Sequence, residues 1–121
     1  YTYSFERLEV WQLARKLIVK IYSETKKFPE EEKFILANQI RRAALSVASN
    51  LAEGSSRNSS KDRANFYQIS FSSLMEVLCQ IIVASDLGFL KEQQLLDLRI
   101  EIDEIANKIN ALRKHQLNNT R

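Results

Sequence analysis

Punctuation is scarce in this chain: its 121 residues hold two glycines and one proline. Two glycines cannot serve the many turns of an all-β fold, but they suffice for a few long helices joined by short loops. Pro29, in KKFPEEEKF, suits the first turn of a helix, and Glu30, Glu31 and Glu32 behind it complement the positive end of the helix dipole. Gly54, in AEGSSRNSSKD, fits the left-handed position just past a helix end. Ser59 stands three residues before Asp62, a capping-box pattern that starts the next helix. Gly88, in SDLGFLKEQ, reads as a second stop. The segments between are predicted helices over about 4–27, 30–53, 60–87 and 91–116.

Each segment carries an apolar stripe at helical spacing. The first has Val10, Ala14, Leu17 and Ile21, and the second Leu36, Ile40, Ala44, Val47 and Leu51. The third has Tyr67, Phe71, Leu74, Leu78 and Ile81. In the fourth, Leu95, Leu98, Ile102, Ile105, Ile109 and Leu112 alternate steps of three and four, which keeps one seam facing a partner helix. At 1.5 Å per residue each helix is ~35 Å long, and short loops set sequential helices antiparallel. The fold class is therefore all-α: an antiparallel up-down-up-down four-helix bundle, with residues 1–121 as a single domain.

Some apolar residues fall off these stripes: Ile69, Met75, Cys79 and Val83 in the third helix, Phe5, Leu8 and Leu13 in the first, and Ile35 and Leu45 in the second. A repeated second apolar face points to association, and a homo-oligomer is expected. Hydrophobic content of 45% and charged content of 27% are ordinary for a soluble protein. No apolar run is read as approaching the ~18–20 residues of a membrane span, so no membrane partner is expected. One cysteine and one histidine exclude an internal disulfide and a Cys/His zinc set, which favours a reduced, cytoplasmic setting.

Catalytic chemistry finds no foothold. Cys79 is mid-helix and His115, near the C-terminus, is far from its level, so no Cys/His pair is expected. Gly54 is alone in its loop, so no phosphate-cradling glycine motif exists, and Ser55, Ser56, Ser59 and Ser60 read as capping residues. No Glu-x-x-His motif offers a metal set. No catalytic, cofactor-binding or metal residues are assigned. Glu76 sits among Ile69, Cys79 and Val83, and a carboxylate there calls for a cation. Arg41 or Arg42 lies near its level and is expected to pair with it, within or between subunits.

The predicted topology collects basic residues at one end. Arg7, Arg57, Lys61, Arg63, Arg113, Lys114 and Arg121 stand there against Glu6, Glu9, Glu53 and Asp62. The other end is acidic, with Glu24, Glu30, Glu31, Glu32, Asp86 and Glu92 against Lys26, Lys27, Lys33 and Lys91. A ring would repeat the basic end on one rim and attract phosphate, which makes RNA or DNA a candidate partner. Neither a zinc finger nor helix-turn-helix spacing is present to read a sequence. A protein-binding adaptor without nucleic-acid affinity is the alternative.

The segments FERLEVWQLARKLIVKIYSETKKFP, QIRRAALSVASNLAEGSSR and SLMEVLCQIIVASDLGFL, in that order, resemble the four-helix-bundle family of 23S rRNA intervening-sequence proteins. The resemblance covers about residues 5–113 and implies small bacterial proteins with no established catalytic residues and homopentameric rings. It also implies, for a branch serving retroelements, contact with nucleic acid and a reverse transcriptase. The family's motif positions carry over onto Gln39, Arg41, Arg42, Asn50, Glu53, Gly54 and Arg57, and onto Ser73, Leu74 and Glu76. The chain departs from the pattern at Ala48, where members often have proline, and at Ser72, where they often have glycine.

Overall fold

The computed structural model describes residues 1–119; Arg121, grouped above with the basic end, lies outside them. Four helices form, with no strand among the described residues: α1 (Glu9–Thr25), α2 (Asn38–Ser55), α3 (Ser60–Asp86) and α4 (Glu92–Asn118). The predicted stripes line the core. Val10, Leu17, Ile21, Ile40, Val47, Leu51, Leu74, Ile81, Leu98, Ile102, Ile105 and Ile109 are all buried in one cluster. Burying each such side chain contributes about 1.5–3 kcal/mol, which is why the stripe decides the fold.

The helix ends show where sequence rules held. Ser59 caps α3, its hydroxyl accepting from the Asp62 amide at 3.1 Å. Past the other end of α3, Gly88 takes φ +83°, the Phe89 amide donates to the Ala84 carbonyl at 2.9 Å, and the Gly88 amide to that of Ser85 at 3.0 Å. This crossed pair is the Schellman arrangement, and it needs a residue free to adopt the left-handed region.

Three boundaries are corrected. The first predicted helix is broken: a 3-10 turn over Ser4–Arg7 precedes an extended Leu8 (φ −71°, ψ 122°), and α1 starts after it. The second starts as a 3-10 turn over Glu30–Glu32 and a π-helical turn over Lys33–Ala37 before α2 begins. Gly54 is not a left-handed stop. It is a buried residue within α2, and Ser56 beyond it is still right-handed (φ −86°, ψ −10°). Its value is steric: a Cβ there would lie 2.7 Å from Cε1 of Tyr67 and 3.1 Å from Cβ of Phe66. The residue that resembled a cap instead lets α3 approach α2.

That approach continues along the two helices, with contacts running in opposite sequence order. The Ser55 and Tyr67 hydroxyls are 3.3 Å apart, those of Ser46 and Ser73 2.8 Å, and the buried Ser70 hydroxyl donates to the Val47 carbonyl at 2.7 Å. Asn50 Nδ2 donates to the Ser46 carbonyl and hydroxyl at 2.8 and 2.9 Å. Between α1 and α4 the contacts are ion pairs, Lys20 with Glu101 at 2.6 Å and Lys108 with Glu9 at 3.1 Å.

A further correction concerns apolar length. By length and composition α3 is long and apolar enough to cross a membrane, although 28% of its most apolar 18-residue stretch is buried inside the chain. Its buried residues, Ala64, Tyr67, Ser70, Leu74, Val77, Ile81 and Ala84, recur at helical spacing, as in a helix built into a bundle. Part of what remains is the second apolar face. Ile69 and Val83 are exposed on α3, as are Cys79, and Leu45 and Ile35 on and just before α2. Leu8, Leu13 and Met75 instead pack in part against the core, and Phe5 stacks edge-on against Trp11.

Candidate nucleic-acid interface

The basic end is built from the α2–α3 connection. Ser56 closes α2, its hydroxyl donating to the Glu53 carbonyl at 2.7 Å. Arg57 folds back one turn to pair with Glu53 at 3.1 Å, and its guanidinium lies 4.5 Å from the Phe66 ring centre. Arg63, on the first turn of α3, donates through Nε to the Arg57 carbonyl at 2.8 Å. Two arginines and a glutamate thus hold the connection in one shape.

From α4, Arg113 donates to the Gln68 side-chain oxygen of α3, which places the last turns of α4 beside the third turn of α3. Lys61 and Lys114 are exposed and have no ion pair among the described residues. Arg7 is directed elsewhere, to the Thr2 carbonyl and hydroxyl, both at 3.2 Å. Of the predicted cations, Arg57 is therefore locally neutralised and Arg7 bound to its own segment. Among the described cations of this end, Lys61 and Lys114 have neither an ion pair nor a side-chain hydrogen bond.

The predicted pair of Arg41 with Glu76 does not form within the chain. Arg41 donates through Nε to the Thr25 hydroxyl at 2.8 Å and through Nη2 to the Tyr22 carbonyl at 3.4 Å, with its guanidinium 4.5 Å from the Tyr22 ring centre. The physical reason is the carbonyl-rich C-terminal end of α1, whose partial negative charge takes a cation. Thr25 is itself buried and donates to the Ile21 carbonyl at 2.7 Å, so it presents its oxygen to Arg41. Glu76 accepts from Gln80 at 3.3 Å, and Gln80 also reaches Gln39 at 3.5 Å. Arg42 is exposed, with no ion pair among the described residues. Gln39, Arg42 and Glu76 thus lie on the open α2–α3 surface, while Asn50 and Gly54 serve the seam beneath it.

Sequence reasoning missed a cleft of about 340 Å³ between the start of α1 and the end of α4, lined by Leu8, Glu9, Val10, Lys108, Ala111, Leu112 and His115. No local motif announces it, since its walls are a hundred residues apart in the chain. His115 is exposed there, with a ring nitrogen 3.3 Å from the Asn119 amide. No group of three or more His, Cys, Asp or Glu fit to hold a metal occurs among the described residues.

Comparison with known proteins fixes the lineage. A crystal structure of a protein of unknown function from the S23 ribosomal protein family of Bacteroides thetaiotaomicron is similar to this chain, with a TM-score of 0.81 and 20% identity. The match covers 87% of this chain and 98% of the other, and at that identity it speaks for the fold. No curated protein matches the chain. The family model described as 23S rRNA-intervening sequence protein matches residues 6–111, and the chain belongs to that family.

Proposed function

We propose that this chain is a non-enzymatic, homo-oligomeric, antiparallel up-down bundle of the cytoplasm that associates with RNA or DNA through its basic end. The observation that carries the reading is the juxtaposition of the ordered α2–α3 connection with the last turns of α4, which leaves Lys61 and Lys114 exposed beside Arg63 and Arg113. Lysines of this kind contact phosphate as mobile point charges and read no sequence. The family resemblance supports a pentameric ring, and the exposed Ile69, Val83 and Leu45 are apolar surface for its contacts. Arg42 and Glu76, in no ion pair among the described residues, would complete an ion pair between neighbouring copies.

The test is RNA binding as a function of salt. The logarithm of affinity should fall with slope about −0.7 per phosphate neutralised on a single strand. Lys61→Glu combined with Lys114→Glu should lower affinity at low salt by at least about tenfold, with helicity and sedimentation unchanged. Arg57→Glu with Arg113→Glu should also lower affinity, but it additionally breaks the contacts to Glu53 and Gln68. Absence of RNA and DNA binding at low ionic strength would sink this reading. It would leave a protein-binding adaptor, such as a reverse-transcriptase accessory, for which the same apolar surface of α3 speaks.

A further inference from the structure

We infer that the basic end takes single-stranded nucleic acid, with an unpaired base stacking on the Arg57 guanidinium. This rests on the nucleic-acid reading above and names the substrate class of the same site. Glu53 neutralises Arg57 at 3.1 Å, so its charge is already engaged, but its flat face is not. The guanidinium lies 4.5 Å from the Phe66 ring centre, and the side chain is still 43% exposed. Phe66 covers one face, so the open area lies on the other face and the rim. Three contacts set this plane before any ligand arrives. Glu53 holds its edge, Phe66 its underside, and Arg63 Nε donates to the Arg57 carbonyl at 2.8 Å. A plane fixed in advance loses little freedom on binding.

Charge alone does not choose between strands, because phosphates line duplex and single strand alike. A stacking face does choose. Paired bases turn their faces to each other, whereas unpaired bases splay onto aromatic rings and arginine planes. The exposed Lys61, one helical turn along the chain from Arg57, and Lys114 on α4 are placed for the flanking phosphates. Tyr3 adds a second aromatic ring at this end, 63% exposed, ahead of Leu8, which shares a cleft with His115 next to Lys114. Interleaved cations and open flat faces are the make-up of a single-strand surface. Stacking of this kind tolerates any sequence, because every base has a π-face.

Two oligonucleotides of equal phosphate number separate base from charge: a single strand bearing bases, and the same strand made abasic throughout. At low salt wild type should bind the base-bearing strand about tenfold more tightly, the size expected of one stacked base. Arg57→Lys keeps the positive charge and its reach to Glu53 but lacks the plane. It should abolish the preference and leave both the affinity for the abasic strand and the salt slope as they were. Phe66→Leu, which keeps apolar bulk at a half-buried position, should reduce the preference in part. Lys61→Glu combined with Lys114→Glu should weaken both strands alike and leave their ratio unchanged. Relaxed closed-circular duplex, which offers no unpaired base, should bind wild type and Arg57→Lys equally. Retained helicity and sedimentation confirm that each variant is folded. Equal binding of the two strands by wild type, a preference that survives Arg57→Lys, or an equal loss of duplex binding in that variant would overturn this inference alone and leave the phosphate contacts standing. A wild type that binds none of the three probes would overturn both readings.

Discussion

Two of the helix seams, α2 with α3 and α1 with α4, are made in different ways. Between α2 and α3 the closing residues are small or short-chained: Gly54, Ser46, Ser70 and Ser73, with Asn50 turned back on its own helix. Between α1 and α4 two lysines span the gap to Glu9 and Glu101, and the seam opens into a cleft at one end. A seam closed by small residues fixes register, because each contact fails when a methyl group is added or a hydroxyl removed. A seam spanned by long charged chains tolerates displacement, because a lysine reaches its partner from many positions and water screens the pair. Of the family's motif positions on α2, Asn50 and Gly54 lie on the intolerant seam.

The sharpest way to break this contrast is at Gly54. Gly54→Val should destabilise the chain by about 3 kcal/mol in urea denaturation, since Tyr67 is buried and its ring has nowhere to retreat. Gly54→Ala separates the causes. Alanine is favoured over glycine in a helix by about 1 kcal/mol, yet the clash with Tyr67 should outweigh that. In a Tyr67→Leu background the clash is relieved and the same substitution should become stabilising. If Gly54→Ala stabilised the wild type, close approach would not be the reason for the glycine.

A smaller effect is expected at Ser70. Its hydroxyl is fully buried and donates across the seam to the Val47 carbonyl at 2.7 Å, so Ser70→Ala should cost about 1 kcal/mol. Ser73→Ala, at a half-buried position, should cost less. Equal costs at both would mean that burial is not what gives the seam its strength.

What the sequence disclosed follows the same division. The stripes of α1 to α4, the Ser59 cap and the Gly88 stop were legible because each is decided within one helix or one turn. Gly54 was misread because a glycine past a helix and a glycine under a neighbouring ring look alike in one dimension; only the position of Tyr67 separates them. Arg41 was sent to Glu76 by counting levels along the bundle. Counting gives height and not azimuth, and the Thr25 hydroxyl and Tyr22 carbonyl at the end of α1 are the acceptors Arg41 meets. The breaks at Leu8 and at Lys33–Ala37 carry no glycine and no internal proline, so composition could not announce them. At the basic end the residue set was legible, but its sorting into engaged arginines and free lysines was not. That depends on Glu53, Phe66 and Gln68 lying within reach.

The tolerant seam should yield the smallest effect, and pH exposes it. Lys20 donates to Glu101 at 2.6 Å, and this hydrogen bond holds the ammonium pKa above its ordinary value. Desolvation opposes the rise, while the negative charges of Glu101, Asp97 and Glu24 add to it. A lysine whose pKa is higher folded than unfolded contributes stability that is fully present below the unfolded value. It is lost as the pH rises through the folded value, in the alkaline range above that of an ordinary lysine. Both side chains are substantially exposed, 41% for Lys20 and 32% for Glu101, so the contribution after solvent screening is below about 0.5 kcal/mol. Lys20→Met should therefore leave stability near neutrality almost unchanged and flatten its decline above about pH 10. The same variant should lose its difference from wild type in 1 M salt, whereas the Ser70→Ala deficit should persist there, because a buried hydroxyl bond is not screened. A salt-resistant loss of several kcal/mol at Lys20 would mean that the α1–α4 seam is as intolerant as the other.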